Sequence, residues 1–310
     1  MQGGLGMQID YVKNSYVNHE KHYNAEDEAE WTRRIFLLTH HNCAQYKIII
    51  RTLEPLRAIL QSNNTWLTVG DYNGLEAQYF EQHGQSVVAS DIADTFLSKL
   101  NTLGMVGKFA KVNVEQIPYA DCSFDFVSCR EAYHHFPRAF IGLYEMIRIA
   151  RKGVVIIEPS DAFLEVPFFL LLKHILDRIN PLLINKFWKN RFSWETVGNY
   201  VFKLSEREVE KIAMGMGLPC IALHRMNHRL SPTPKDWGNP TAEPIDLKLM
   251  KRYKRSMWWW NLLCKLSIIP YNTICAIIFK QIPEQTTINA LKTDGWRIIM
   301  LPPNPYIEKN

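Results

Sequence analysis

The sequence contains no Cys-x-x-Cys pair. Its six cysteines, Cys43, Cys122, Cys129, Cys220, Cys264 and Cys275, share no zinc-ligand spacing, so the common structural-zinc modules are excluded and no metal is expected. No Gly-Lys-Ser/Thr follows a glycine turn, which excludes a P-loop. No Ser/Gly linker, low-complexity tract or internal repeat divides the chain, so one domain with insertions is expected. Charge of one sign is not in large excess: the formal net charge is +5 over 310 residues and the basic groups are scattered. Nucleic acid is therefore not the expected partner. The opening stretch "MQGGLGMQID" lacks a basic n-region and an apolar h-region, and the thiols read as reduced in a cytoplasmic protein.

One long apolar run is present. "MWWWNLLCKLSIIPYNTICAIIF", Met257 to Phe279, has the length to span a bilayer, but Lys265 and Pro270 near its middle would be costly in lipid. It is expected as a pair of buried or lid helices. A peripheral membrane contact through residues 251–280, where "KLMKRYKR" precedes the run, is the second reading.

Elsewhere strands and helices alternate. Glu26 to Leu60 has helical apolar spacing. From Trp66 onward "WLTV", "VVAS", "KFAKVNV", "SFDFVSC" and "VVIIE" read as five strands separated by helices, such as the one carrying Phe140, Leu143, Tyr144 and Ile147 at i, i+3, i+4 and i+7. Ser205 and Glu208 form a capping-box signature, "PCIALHRM" a sixth strand and "GWRIIMLPP" a closing one. This rhythm predicts an α/β, Rossmann-like doubly wound, mostly parallel seven-stranded sheet with N-terminal helices and a helical lid or insertion. The expected divisions are an N-terminal helical segment at 1–64, a core at 65–230 with a lid at 160–200, an apolar and aromatic insertion at 231–290, and a closing strand and tail at 291–310.

Ligands of such sheets lie at the C-terminal strand ends, which places the turn after "WLTV", Asp91, Asn113 and Arg130 on one rim. The turn "GDYNG" keeps Gly70 and Gly74 and has Tyr72 between them. Asp91, about 20 residues on, is placed to accept both hydroxyls of an adenosine ribose, with a helix cap as the alternative, although Asp94 is better placed to cap. A nicotinamide-dependent oxidoreductase would need glycine where Tyr72 and Leu75 stand.

The segment from Lys111 to Pro159 resembles the class I S-adenosylmethionine-dependent methyltransferases, in particular the type 11 group that includes quinone-biosynthesis enzymes. The matching features are Asn113, Ile117-Pro118, Ser123-Phe124-Asp125, His134-His135-Phe136, Lys152-Gly153 and Glu158-Pro159, in order. The resemblance extends from Thr65 to Met226, plus a last strand at Trp296. It implies S-adenosyl-L-methionine as cofactor, with Gly70, Tyr72 and Gly74 at its methionine end, and Asp91 and Ile92 at the ribose. It also puts Asn113 and Val114 at the adenine. The family carries an acid where this chain has Thr68 and a glycine where it has Tyr72. Asp71 is the candidate to replace that acid in holding the cofactor's amino group, and Arg130 to hold its carboxylate or an acidic acceptor.

His134 and His135 carry the candidate acid–base chemistry, since an imidazole within reach of a hydroxyl can take its proton as the methyl moves. A helix-capping role is the alternative, and Glu131 and Tyr133 are weaker candidates. The expected target atom is oxygen, because the candidate base would serve a hydroxyl. The expected acceptor is a small-molecule or glycan- or lipid-linked compound, because aromatic residues such as Trp188, Trp194 and Trp258 crowd the apolar segments. A scaffold that keeps the fold without the chemistry is the other reading, motivated by Thr68 and Tyr72. A nucleic-acid methyltransferase would need an Asn/Asp-Pro-Pro-Tyr tetrapeptide where "CREAYHHF" stands.

Overall fold

The computed structural model describes residues 3–161, 166–180, 182–183, 193–195, 198–228 and 247–306. The chain begins with helices α1 (Gly3–Asn24), α2 (Glu28–Thr39) and α3 (Ala44–Ile49), followed by short 3-10 turns through Ala58. Then come β1 (Thr65–Val69), α4 (Leu75–Gln82), β2 (Ser86–Asp91), α5 (Thr95–Thr102), β3 (Phe109–Lys111), β4 (Phe124–Arg130), α6 (Ala139–Ile149) and β5 (Ala150–Pro159). The remainder holds α7 (Pro167–Ile179), α8 (Glu206–Gly215), β6 (Cys220–Met226), α9 (Leu247–Lys265), β7 (Thr273–Phe279), α10 (Gln285–Thr293) and β8 (Arg297–Met300).

The strands form one sheet of eight in the order β3-β2-β1-β4-β5-β7-β6-β8. From β3 to β5 neighbouring strands are parallel, and β7 runs antiparallel between β5 and β6. The order reverses between β1 and β4, which leaves a crevice beyond their C-terminal ends. Both faces are covered. Leu143, Met146 and Ile147 of α6 pack on one side with Val209 and Ile212 of α8. Phe80 of α4, Phe96 and Leu97 of α5 and Leu291 of α10 pack on the other with Leu53 and Leu56. The predicted capping box of α8 is present, with Ser205 and Glu208 each bonded to the other's backbone.

Two sequence expectations change. Glu26 to Leu60 is not one helical stretch: Cys43 starts a new helix with its Sγ accepting from Tyr46 N–H, and Pro55 sits in the 3-10 turn that follows. The expected helix pair at Met257–Phe279 is a helix end followed by a strand. Thr273–Phe279 is buried at every position and pairs over seven residues with each neighbour, so it belongs to the middle of the sheet and not to an appended insertion. "GWRIIMLPP" accordingly supplies an additional edge strand, β8, beside β6. A seven-residue apolar run reads equally as buried helix or buried strand, and only its neighbours decide. Among the described residues no helix is long and apolar enough to cross a membrane. Residues 231–246 of the expected insertion, and Trp188 of the lid, lie outside the described residues.

Candidate functional site

A cleft of about 830 Å³, counting the space open at its mouth, lies at the crevice between the β1 and β4 ends. Gly70, Asp71, Tyr72, Asp91, Ile92, Val114, Arg130 and His135 all line it. Gly74, Asn113 and His134 do not. α1 contributes Ser15, Tyr16, His19 and Tyr23, which the sequence reading did not single out.

The floor is the turn after β1. Gly70 has φ +73°, and a Cβ there would fall 2.3 Å from the Cβ of Ala132, so the turn from β1 and the turn from β4 approach closely only with glycine at this position. Asp71 lines the cleft but spends its carboxylate on structure. Its Oδ2 accepts from Ala77 N–H at 2.8 Å and from Thr68 Oγ1 at 3.1 Å, and its Oδ1 accepts from Glu76 N–H at 3.2 Å. Asp71 thus caps α4 and meets Thr68, the residue that stands where the resembled family carries an acid. Gly74 begins α4 with φ +65° over Val106 and Leu100 and faces the core.

Tyr72 needs no glycine, since it does not have a positive φ. Its side chain leaves the turn and anchors the N-terminal helices: its hydroxyl donates to Glu26 Oε1 at 2.9 Å, Arg34 lies 4.6 Å over its ring, and Tyr23 packs at 4.3 Å between centroids. Arg34 in turn binds both oxygens of Glu26. Lys111 pairs with Glu20, and Tyr11 meets Trp194 edge-on at 6.2 Å, so α1 is tied across the cleft from β3 to the lid segment.

Asp91 is 4% exposed and its Oδ1 accepts from Ala93 N–H at 2.7 Å. Burial chiefly pushes its carboxyl up to about 7, helped by the charge of Asp71 and opposed by backbone N–H groups of Ala93, Ile92 and Tyr72. Asp94, at the N-cap position of α5, makes no side-chain cap. Asn113 closes a turn by accepting from Glu115 N–H at 2.9 Å and lines a separate groove beside α1, while the adjacent Val114 faces the cleft.

Arg130 is nearly buried at the β4 end, its Nε without a hydrogen-bond partner, and Glu131 lies 3.6 Å from its Nη1. Beneath it are two buried acids. Burial raises the carboxyls of Asp71 and Glu76, and the Arg130 charge offsets part of this for both. Glu131 lines the cleft with a left-handed φ of +52°, whereas Tyr133 turns into the core.

The histidine pair sits in the 3-10 turn Tyr133–His135, and the sequence reading assigned no holding role to the three groups that fix it, Glu158, Asn199 and Glu195. Glu158, fully buried at the β5 end, accepts from Ala132 and Tyr133 N–H with Oε1, each at 2.8 Å, and meets His134 Nδ1 with Oε2 at 2.6 Å. Asn199, also fully buried, donates to the His134 carbonyl at 3.1 Å. Burial works to lower His134, but the charge and hydrogen bond of Glu158 and the charge of Glu195 outweigh it and leave the imidazole raised. His135 Nδ1 is in short contact with Glu195 Oε2, and Glu195 Oε1 is 4.0 Å from His134 Nε2. Burial acts to raise Glu195, yet the two histidines leave it lowered. His19, with its ring 5.5 Å from that of His135, is pushed down to about 4, first by burial and then by the charge of His135. Glu158 had a signal, an acid ending a buried strand; Glu195 had none.

Residues 67–157 match the family model described as a methyltransferase domain. The demethylmenaquinone methyltransferase of Deinococcus radiodurans is 32% identical over 81 residues, covering 24% of this chain and 34% of that protein. The matched part thus spans about a third of the length of that relative. Among solved structures, the YcgJ protein of Bacillus subtilis has 16% identity and a TM-score of 0.48, over 74% of this chain and 97% of its own. A SAM dependent methyltransferase from Archaeoglobus fulgidus has 12% identity and a TM-score of 0.46, over 75% and 94%.

Proposed function

We propose that this chain, whose residues 67–157 match the methyltransferase-domain model, transfers a methyl group from S-adenosylmethionine to an oxygen of a small-molecule or glycan- or lipid-linked acceptor. The observation that carries the reading is the cleft at the sheet's switch point, which a buried carboxylate, an apolar wall and the Arg130 guanidinium line together. These groups fit the cofactor. Asp91 accepts from the ribose hydroxyls, and Ile92, Val112 and Val114 offer an apolar slot for the adenine. The Gly70–Tyr72 backbone borders the methionine tail, and Arg130, which lines the same cleft, is the cation for its carboxylate. Asp71 acts by holding the turn through α4.

When bound, the cofactor supplies an electrophilic methyl carbon on a sulfonium. The chain's own contribution is to bring the acceptor into line with it and to exclude water, for which α1 and the lid segment meet above the cleft. His135, the member of the pair that lines the cleft, takes the hydroxyl proton, and Glu195 stabilises the imidazolium. His134 is a positioning residue, locked by Glu158 and Asn199. Support for a lipid-linked acceptor comes from α7, where Phe168, Leu171, Ile175 and Ile179 recur on one helical face and are exposed.

The test is calorimetric titration with S-adenosylhomocysteine, followed by a methylation screen on hydroxylated acceptors. Micromolar binding by the wild type, abolished in Asp91→Ala, is expected. A folded wild type that does not bind would sink the enzyme reading and leave a scaffold in which Thr68 and Tyr72 mark a lost site.

A further inference from the structure

The donor atoms at the rim of the cleft have an arrangement that proton transfer alone does not require. His134, His135 and Glu195 present one ligand atom each, all within 4.8 Å of one another. Their burial is intermediate, so the group is neither sealed in the core nor free in solvent. In a tetrahedral zinc site neighbouring ligand atoms lie about 3.3 Å apart, a spacing of the same order as the 4.0 Å between His134 Nε2 and Glu195 Oε1.

We propose that His134, His135 and Glu195 bind one divalent transition-metal ion. His134 points to this most directly. Its Nδ1 is held at 2.6 Å by the carboxylate of Glu158, which is itself fixed by the Ala132 and Tyr133 N–H groups. A carboxylate at Nδ1 keeps the proton there and leaves the Nε2 lone pair free, which is how histidine ligands in metal proteins are oriented from behind. That Nε2 faces Glu195 Oε1 at 4.0 Å, and the same carboxylate faces His135 Nδ1 with its other oxygen. Two imidazole nitrogens thus converge on one carboxylate from adjacent residues of a 3-10 turn, and the carboxylate arrives from the lid segment.

Two imidazoles and one carboxylate suit zinc, cobalt or nickel better than magnesium or calcium, which prefer oxygen. Three protein ligands leave a coordination position open, and His135 places that position on the cleft wall. An acceptor hydroxyl is the ligand class that would fill it, and the ion would lower its pKa so that its proton passes to water before the methyl moves, in place of transfer to a free His135 imidazole. This catalytic use rests on the methyltransferase reading; the metal site itself does not.

The experiment is to strip the purified full chain with chelator and titrate it with zinc by calorimetry and with cobalt by visible absorption. One ion per chain is expected, with tetrahedral cobalt bands. Glu158→Gln should weaken uptake about 10-fold to 100-fold, and the ligand substitutions His135→Ala and Glu195→Gln by more. Because Glu195 is partly exposed on the lid segment, Glu195→Gln tests the site without disturbing the core, and far-UV circular dichroism checks all three variants. Failure of the wild type to take up an ion would overturn the proposal, as would uptake unchanged in both His135→Ala and Glu195→Gln. S-adenosylhomocysteine binding, measured on the same samples, separates that outcome from failure of the methyltransferase reading.

Discussion

Lowering the pH from 8 to 6 should weaken S-adenosylhomocysteine binding about tenfold, and Asp91 is the reason. Its carboxyl is buried in the cleft wall, accepts from Ala93 N–H and faces the charge of Asp71, and burial above all brings it to about 7. In the proposed pose the ribose hydroxyls donate to Asp91, so binding requires the carboxylate and expels the proton. The folded value is raised, hence binding competence is full above 7 and is lost as pH falls through it. The carboxylate fraction drops from about ten elevenths at pH 8 to about one eleventh at pH 6, a tenfold change in affinity equal to about 1.4 kcal/mol. Calorimetry across that window measures it directly. Asp71 and Glu76 are also raised by burial beneath the cleft, so some slope can come from them. Asp91→Asn retains both acids and should bind weakly with a flattened profile. A wild-type affinity constant from pH 8 to 6, or an Asn variant with the full slope, would refute the assignment.

Two further outcomes concern stability. Glu158→Ala strands two backbone N–H groups and His134 Nδ1 in a fully buried position and should cost about 3–5 kcal/mol by urea denaturation, whereas Glu158→Gln, which keeps a carbonyl for the two N–H groups, should cost about 1–2 kcal/mol. Equal losses would mean that the carboxylate has no special part in holding the turn. Ile277→Ala should cost about 2–5 kcal/mol, because the residue is fully buried in β7 between β5 and β6; a loss below about 1 kcal/mol would argue that 273–279 is not in the core.

The parallel half of the sheet was legible because each strand announces itself by an apolar run that stops at a turn residue, as Val69 stops at Gly70 and Ser90 at Asp91. The antiparallel strand was not. "TICAIIF" carries no alternation, since both faces of β7 are covered, and Lys265 and Pro270 beside it suggested interrupted helices instead. The cleft's α/β rim followed from the strand ends. Its roof did not, although Ser15, Tyr16, His19 and Tyr23 recur near one face of α1 and could have been read as a helix turning polar and aromatic groups to a site. Asn113 shows the limit of reasoning from motif position: it stands at the expected rim, but its side chain closes a local turn with Glu115.

The departures at Thr68 and Tyr72 are better understood as an exchange than as decay. A degenerate turn would lose its acid and leave α4 uncapped, yet Asp71 reaches back to Thr68 while taking the N–H groups of Glu76 and Ala77. A tyrosine intruding where close backbone approach is needed would block the floor of the cleft. Tyr72 instead turns its ring outward to Glu26, Arg34 and Tyr23, and its hydroxyl is pushed well above the ordinary phenol range, chiefly by burial in that cluster. The close approach is made by Gly70, where glycine is retained. The residue that replaces a glycine therefore ties the roof of the site to its floor, and the N-terminal helices and the altered turn belong to one structural solution. Substituting Tyr72 by glycine would give the turn the pattern of the family it resembles while removing the anchor of α1 over the cleft.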